Sequence, residues 1–214
     1  DYGVKTVDVL TGFKFIGDQI ARLEAEGREN DYILGFEESY GYLSGSYVRD
    51  KDAVDGAFLI CEMAAYYRSK GMGLLEVLEG LYEKYGFCLN TLHSYEFEGM
   101  EGFEKMKGIM NRLHTMASRI AEGEAVCIGG RKTEAVEDYL SGTISRADKT
   151  TEPIAGLPSS DVLKFRLAGN ASVVVRPSGT EPKLKLYISV SAEDKAKAQA
   201  EEEKITAQME EWFL

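Results

Sequence analysis

The 214 residues carry 25 Lys and Arg against 36 Asp and Glu, a net charge of −11, with 44% apolar and 29% charged residues. Such a composition belongs to a globular chain able to bury a core. It excludes a nucleic-acid partner, whose phosphate backbone demands a basic face, and a membrane span, since no apolar run approaches the roughly 20 residues a spanning helix needs. An anionic ligand would have to be held by a few local cations against a repulsive overall field. The chain opens on Asp1 in mid-pattern, which reads as part of a longer polypeptide. Cys61, Cys88 and Cys127 match no zinc or disulfide spacing, and this usage fits the reducing cytoplasm.

In chain order, Ile16, Ile20 and Leu23 recur at helical spacing and predict a helix over 16–27, stopped by Gly27 and Asn30. Tyr32 to Phe36 reads as a short buried strand ending in the polar loop Glu37-Glu38-Ser39-Tyr40-Gly41. Open α/β sheets place ligands at that end of a strand. Asp52 is positioned to cap a helix over 53–69, whose face of Val54, Ala57, Phe58, Cys61, Ala64 and Ala65 is expected in the core. A second helix is predicted over 74–85.

The character changes near residue 90. A strand over 91–97 precedes a long helix over 101–121, striped by Phe103, Met106, Met110, Leu113, Ala117 and Ile120. Val126 to Ile128 reads as a strand, and the Ser-, Thr-, Gly- and Pro-rich stretch 141–160 as a long loop. Three strands follow, over 162–167, 172–176 and 184–190, then a helix over 193–212. Strands followed by helices in this order describe an α+β domain with helices on one face of a sheet.

Chemistry concentrates in Arg176-Pro177-Ser178-Gly179-Thr180-Glu181-Pro182-Lys183, where a β-branched strand runs into a loop. The N–H groups of Ser178, Gly179 and Thr180 could converge on an anion as a nest. Gly179 permits close backbone approach or positive φ. Arg176 offers a fork that matches phosphate, and Lys183 adds a point charge. The competing reading is a rigid tight connection, with Ser and Thr making turn bonds. In the loop after residue 36, Glu37 and Ser39 have the acceptors that vicinal sugar hydroxyls need, or they form a solvated turn. Lys51 either reaches a phosphosugar or belongs to a solvated capping loop. The two histidines, His93 and His114, lie too far apart in sequence to suggest a metal site.

TGFKFIG, GFEESYGYL, VRDKDAVDG and VVVRPSGTEPKLKLY, in that order, resemble the α-D-phosphohexomutases, in the phosphoglucomutase and phosphomannomutase branches. The resemblance implies an α/β remnant of a sugar-binding domain, the rear of the third of four domains, over 1–90. An α+β C-terminal phosphate-binding domain, with helices on one face of a mainly antiparallel sheet, follows over 91–214. It implies that Glu37 and Ser39 contact sugar hydroxyls. Arg176, Ser178, Gly179, Thr180 and Lys183 would hold the phosphate that does not transfer. The family interconverts hexose 1-phosphate and hexose 6-phosphate through a phosphoserine and a hexose 1,6-bisphosphate. The reacting serine and the Mg2+ site would lie in N-terminal domains outside this sequence, so the chain alone would supply recognition without turnover. A non-catalytic phosphosugar-binding module and a structural α+β interaction domain are the alternatives.

Overall fold

The computed structural model describes residues 2–179 and 181–213. The chain forms two compact units, Asp1–Gly80 and Leu81–Leu214.

In the first unit, α1 (Phe13–Ala25) buries Phe13, Ile16 and Ile20 against Leu43, at the i, i+3, i+7 spacing of one helical face. A two-stranded antiparallel sheet pairs β1 (Leu34–Phe36) with β2 (Tyr42–Ser44). The buried strand expected over 32–36 is shorter, and only Gly35 of it is buried, because β1 is half of a hairpin and not a central strand. Tyr32 donates its hydroxyl to the Leu43 carbonyl at 3.0 Å and ties the approach of β1 to β2.

Helix α2 (Ala53–Ser69) starts where expected, because the Asp52 carboxylate accepts from the N–H groups of Val54 and Asp55 at 2.8 and 3.1 Å. Its predicted core face is not covered. Val54 is 80% and Phe58 65% exposed, and Cys61 is an exposed free thiol. Among the described residues of α2 only Gly56 is buried, close against the side chain of Tyr42. Helix α3 (Leu74–Tyr85) likewise shows no buried residue among those described.

In the second unit, β3 (Phe87–Glu96), β4 (Cys127–Ile128), β5 (Arg131–Asp138), β6 (Thr143–Arg146), β7 (Thr151–Pro153), β8 (Leu163–Leu167), β9 (Ala171–Pro177) and β10 (Lys183–Ala192) form one sheet. Its order is β3-β10-β9-β8-β5-β6-β7, with β4 on β5, and every pair is antiparallel. Alternate residues of β8, β9 and β10 point inward, among them Leu163, Phe165, Val173, Val175, Leu186 and Ile188. They meet the stripe Met106, Ile109, Met110, Leu113, Ala117 and Ile120 of α4 (Gly99–Ala121), and Ile205, Met209 and Phe213 of α5 (Lys195–Phe213), in a single core. The expected α+β arrangement is the one observed.

The stretch read as a long loop holds β6 and β7, joined by a tight turn with Lys149 at φ 71°. Strand β5, where none was predicted, shifts register near Thr133 and Ala135 and buries Glu137. That carboxylate accepts from Arg166 and from the Tyr139 hydroxyl, with Lys164 at 3.7 Å. A buried charge is tolerable only when paired and hydrogen-bonded in this way.

Candidate functional site

The two sequence constellations fall in different units. In the second, β9 and β10 are antiparallel neighbours, with Lys185 opposite Arg176 and Leu184 opposite Pro177. The connection folds back on itself. The Ser178 N–H donates to the Lys183 carbonyl at 2.7 Å, the Lys183 N–H to the Glu181 carbonyl at 2.7 Å, and the Glu181 N–H to the Ser178 hydroxyl at 3.3 Å.

This geometry corrects the expected nest in two respects. Ser178 spends its N–H on closing the hairpin, which leaves the Gly179 N–H, with no hydrogen bond among the described residues. Nor does Gly179 adopt positive φ. A Cβ there would meet nothing within 4 Å, so the space over it is open to a ligand. Thr180 lies outside the described residues.

Arg176, Pro177, Ser178 and Gly179 line a cavity of about 440 Å³ together with Phe103, Met106, Lys107 and Met110 of α4, and Ser160 and Asp161. Lys183 is not among the lining residues. Its Nζ lies 2.7 Å from Glu96 Oε1, across the β10–β3 register that sets the two opposite each other. The contact holds the Glu96 carboxyl below its ordinary range and raises the Lys183 ammonium. Lys107 is paired with Glu104 at 3.0 Å. Arg176 makes no ion pair among the described residues, which makes it the available cation of this cavity. Lys107, Ser160 and Asp161 were not singled out in the sequence. They reach the loop only through the packing of α4 on the sheet, which no local pattern encodes.

In the first unit, the hairpin loop closes through the Glu37 N–H donating to the Gly41 carbonyl at 2.9 Å, with Tyr40 at φ 66°. The Glu37 side chain is only 9% exposed, and its Oε2 lies 3.4 Å from Lys51 Nζ. Two residues singled out separately in the sequence are thus brought together. Ser39 sits on the exposed crest of the same loop. Lys51 Nζ also lies 5.9 Å from the centre of the Phe13 ring, at the outer limit of a cation–π contact. A carboxylate acceptor beside an ammonium donor suits vicinal hydroxyls next to a phosphoryl group.

Gly41 keeps room for that pair. A Cβ there would stand 2.7 Å from Glu37 Oε2 and 2.8 Å from Lys51 Cδ. Both contacts are with flexible side chains, so Gly41→Ala should displace the pair and spare the backbone. A urea midpoint shifted by less than about 1 kcal/mol, together with a hexose phosphate affinity reduced about ten-fold, is the expected result. Unchanged affinity would mean the pair is not part of the site.

Among the described residues no group of three His, Cys, Asp or Glu side chains is placed to hold a metal ion. No helix among the described residues is long and apolar enough to cross a membrane.

Comparison with known proteins defines the class. Residues 1–85 match the sequence model of "phosphoglucomutase/phosphomannomutase, alpha/beta/alpha domain III", and residues 119–206 that of the C-terminal domain of the same family. The chain is 39% identical over 187 residues to a phosphoglucomutase of Staphylococcus aureus strain RF122, covering 87% of this chain and 32% of that protein. It is 40% identical over 191 residues to that of strain MRSA252, covering 89% and 33%. The fold resembles the open form of pp63/parafusin, a phosphoglucomutase from Paramecium, with a TM-score of 0.57 at 19% identity, over 94% of this chain and 33% of the other. The chain belongs to the phosphoglucomutase/phosphomannomutase family of α-D-phosphohexomutases and carries its domain III and C-terminal sequences. It spans about a third of the length of the curated relatives it matches.

Proposed function

We propose that this chain is the sugar- and phosphate-recognition part of a phosphoglucomutase/phosphomannomutase. That enzyme interconverts hexose 1-phosphate and hexose 6-phosphate through a phosphoserine and a hexose 1,6-bisphosphate. The observation that carries the reading is the cavity shared by Arg176, Ser178 and Gly179, with Arg176 as its available cation. In this role Arg176, Ser178, Gly179 and Thr180 hold the phosphate that stays in place. Lys183 joins them by leaving Glu96. Glu37, Ser39 and Lys51 read the sugar hydroxyls.

An acceptor such as Glu37 serves vicinal hydroxyls in either orientation of the ring, which a reaction that turns its intermediate over requires. The chain contributes positioning and electrostatic stabilisation. The reacting serine and a Mg2+ site belong to N-terminal domains of the same polypeptide, in a cytoplasmic enzyme. Calorimetric titration tests this: glucose 1-phosphate should bind the chain and unphosphorylated glucose should not, with no conversion to glucose 6-phosphate. Equal binding of both sugars, or turnover by this chain alone, would contradict the assignment.

A further inference from the structure

His114 sits on α4 with a carboxylate at each ring nitrogen. Nδ1 is 3.3 Å from Asp138 Oδ2 and Nε2 is 2.8 Å from Asp161 Oδ1. Neutral imidazole donates from one nitrogen only and would turn a lone pair toward the other carboxylate, whereas imidazolium donates from both. The two carboxylates are held differently. Asp138 also accepts from the N–H groups of Leu140 and Ser141, at 2.9 and 3.3 Å. Asp161 has only the His114 contact among the side-chain hydrogen bonds of the described residues, and it lines the cavity shared with Arg176, Ser178 and Gly179. A bare carboxylate on that wall would repel a dianion.

We propose that His114 is a positioning residue for the anion cavity: as imidazolium it bridges Asp138 and Asp161, fixes the Asp161 carboxylate and cancels its charge beside the Arg176 loop. The inference rests on the phosphate-site reading above. The charged groups facing His114 are Asp138 from β5 and Asp161 from the segment before β8; on α4 itself, Lys107 lies toward the N-terminus and is engaged with Glu104. Consistent with this, the Asp161 hydrogen bond, opposed by burial and aided by both carboxylate charges, raises the His114 pKa above its ordinary value of 6.5. The bridge is therefore complete below that value and is lost as pH rises through the raised one. Anion binding should weaken over the same interval.

Inorganic sulfate is the suitable probe, being a dianion at pH 6 and at pH 9 alike. Titrated into the whole chain, it should bind about five-fold more weakly at pH 9 than at pH 6. His114→Gln should bind at pH 6 as the unaltered chain does at pH 9, with a flat profile. Asp161→Asn, alone or added to His114→Gln, should restore the tight, pH-independent binding. If Arg176→Ala binds sulfate unchanged, the phosphate site itself is refuted. Should Arg176→Ala lose sulfate while His114→Gln keeps the original affinity and pH profile, only the role of His114 is overturned. Weakened binding by Asp161→Asn would overturn it equally, and that variant answers the question even if His114→Gln does not fold.

Discussion

Arg176→Ala is expected to weaken binding of inorganic phosphate by about 100-fold or more, with little change in stability. Hydrogen bonds to charged groups contribute roughly 1.5–3 kcal/mol each, and a guanidinium fork makes two of them to one phosphate. Neither neighbouring lysine replaces the fork: Lys107 is paired with Glu104, and Lys183 has to leave Glu96 to reach the anion and brings only a point charge. Arg176 is only half-buried at the end of β9, on the wall of a cavity that is already open, so its removal leaves no enclosed void. Arg176→Lys should recover part of the affinity and none of the bidentate geometry. Calorimetry against phosphate and a urea titration of the same samples separate the two effects. A loss of affinity matched by a loss of stability would mean Arg176 is structural.

Phe165→Ala should have the largest effect on stability, about 3–5 kcal/mol. Its ring is 0% exposed and lies in register with Val173 of β9 and Val136 of β5, both core residues. Strand β8 joins the half of the sheet that carries the phosphate loop to the half that carries β5, β6 and β7. A cavity there uncouples the two halves, and a domain of ordinary stability has about 5–15 kcal/mol to lose. Phosphate affinity should fall only insofar as folded protein is depleted. A shift in unfolding free energy under about 1 kcal/mol would contradict the single-core description of this unit.

Much of the second unit was legible because its core is built from regular periods. The stripe of α4 and the alternation of β8 to β10 appear in the sequence as they appear in the core. Strand β5 was hidden because Glu137 occupies a buried position that apolar alternation reserves for hydrophobic residues. Its partners Arg166 and Lys164 lie on another strand. The short strands β6 and β7 have the composition of turns and are recognisable only by their pairing. For α2, periodicity named the residues that share a face, Val54, Phe58 and Cys61, but periodicity cannot say what covers a face.

The sites divide in the same way. Arg176, Ser178 and Gly179 are neighbours in the chain and neighbours at the cavity, so local chemistry pointed to them. Whether an N–H is free is decided by pairing across a hairpin. Ser178 closes onto Lys183, and Lys183 turns to Glu96 on β3. The Glu37–Lys51 contact and the Asp138–His114–Asp161 bridge depend on tertiary packing throughout.

Phosphate binding by the Arg176 loop can be read residue by residue from the change in amide chemical shifts as phosphate is added. The Gly179 amide, open in the unliganded loop, should move furthest and saturate, with Ser178 following, and Arg176→Ala should abolish both shifts. Shifts confined to other parts of the chain, or a Gly179 response that survives the loss of Arg176, would contradict phosphate binding by this loop.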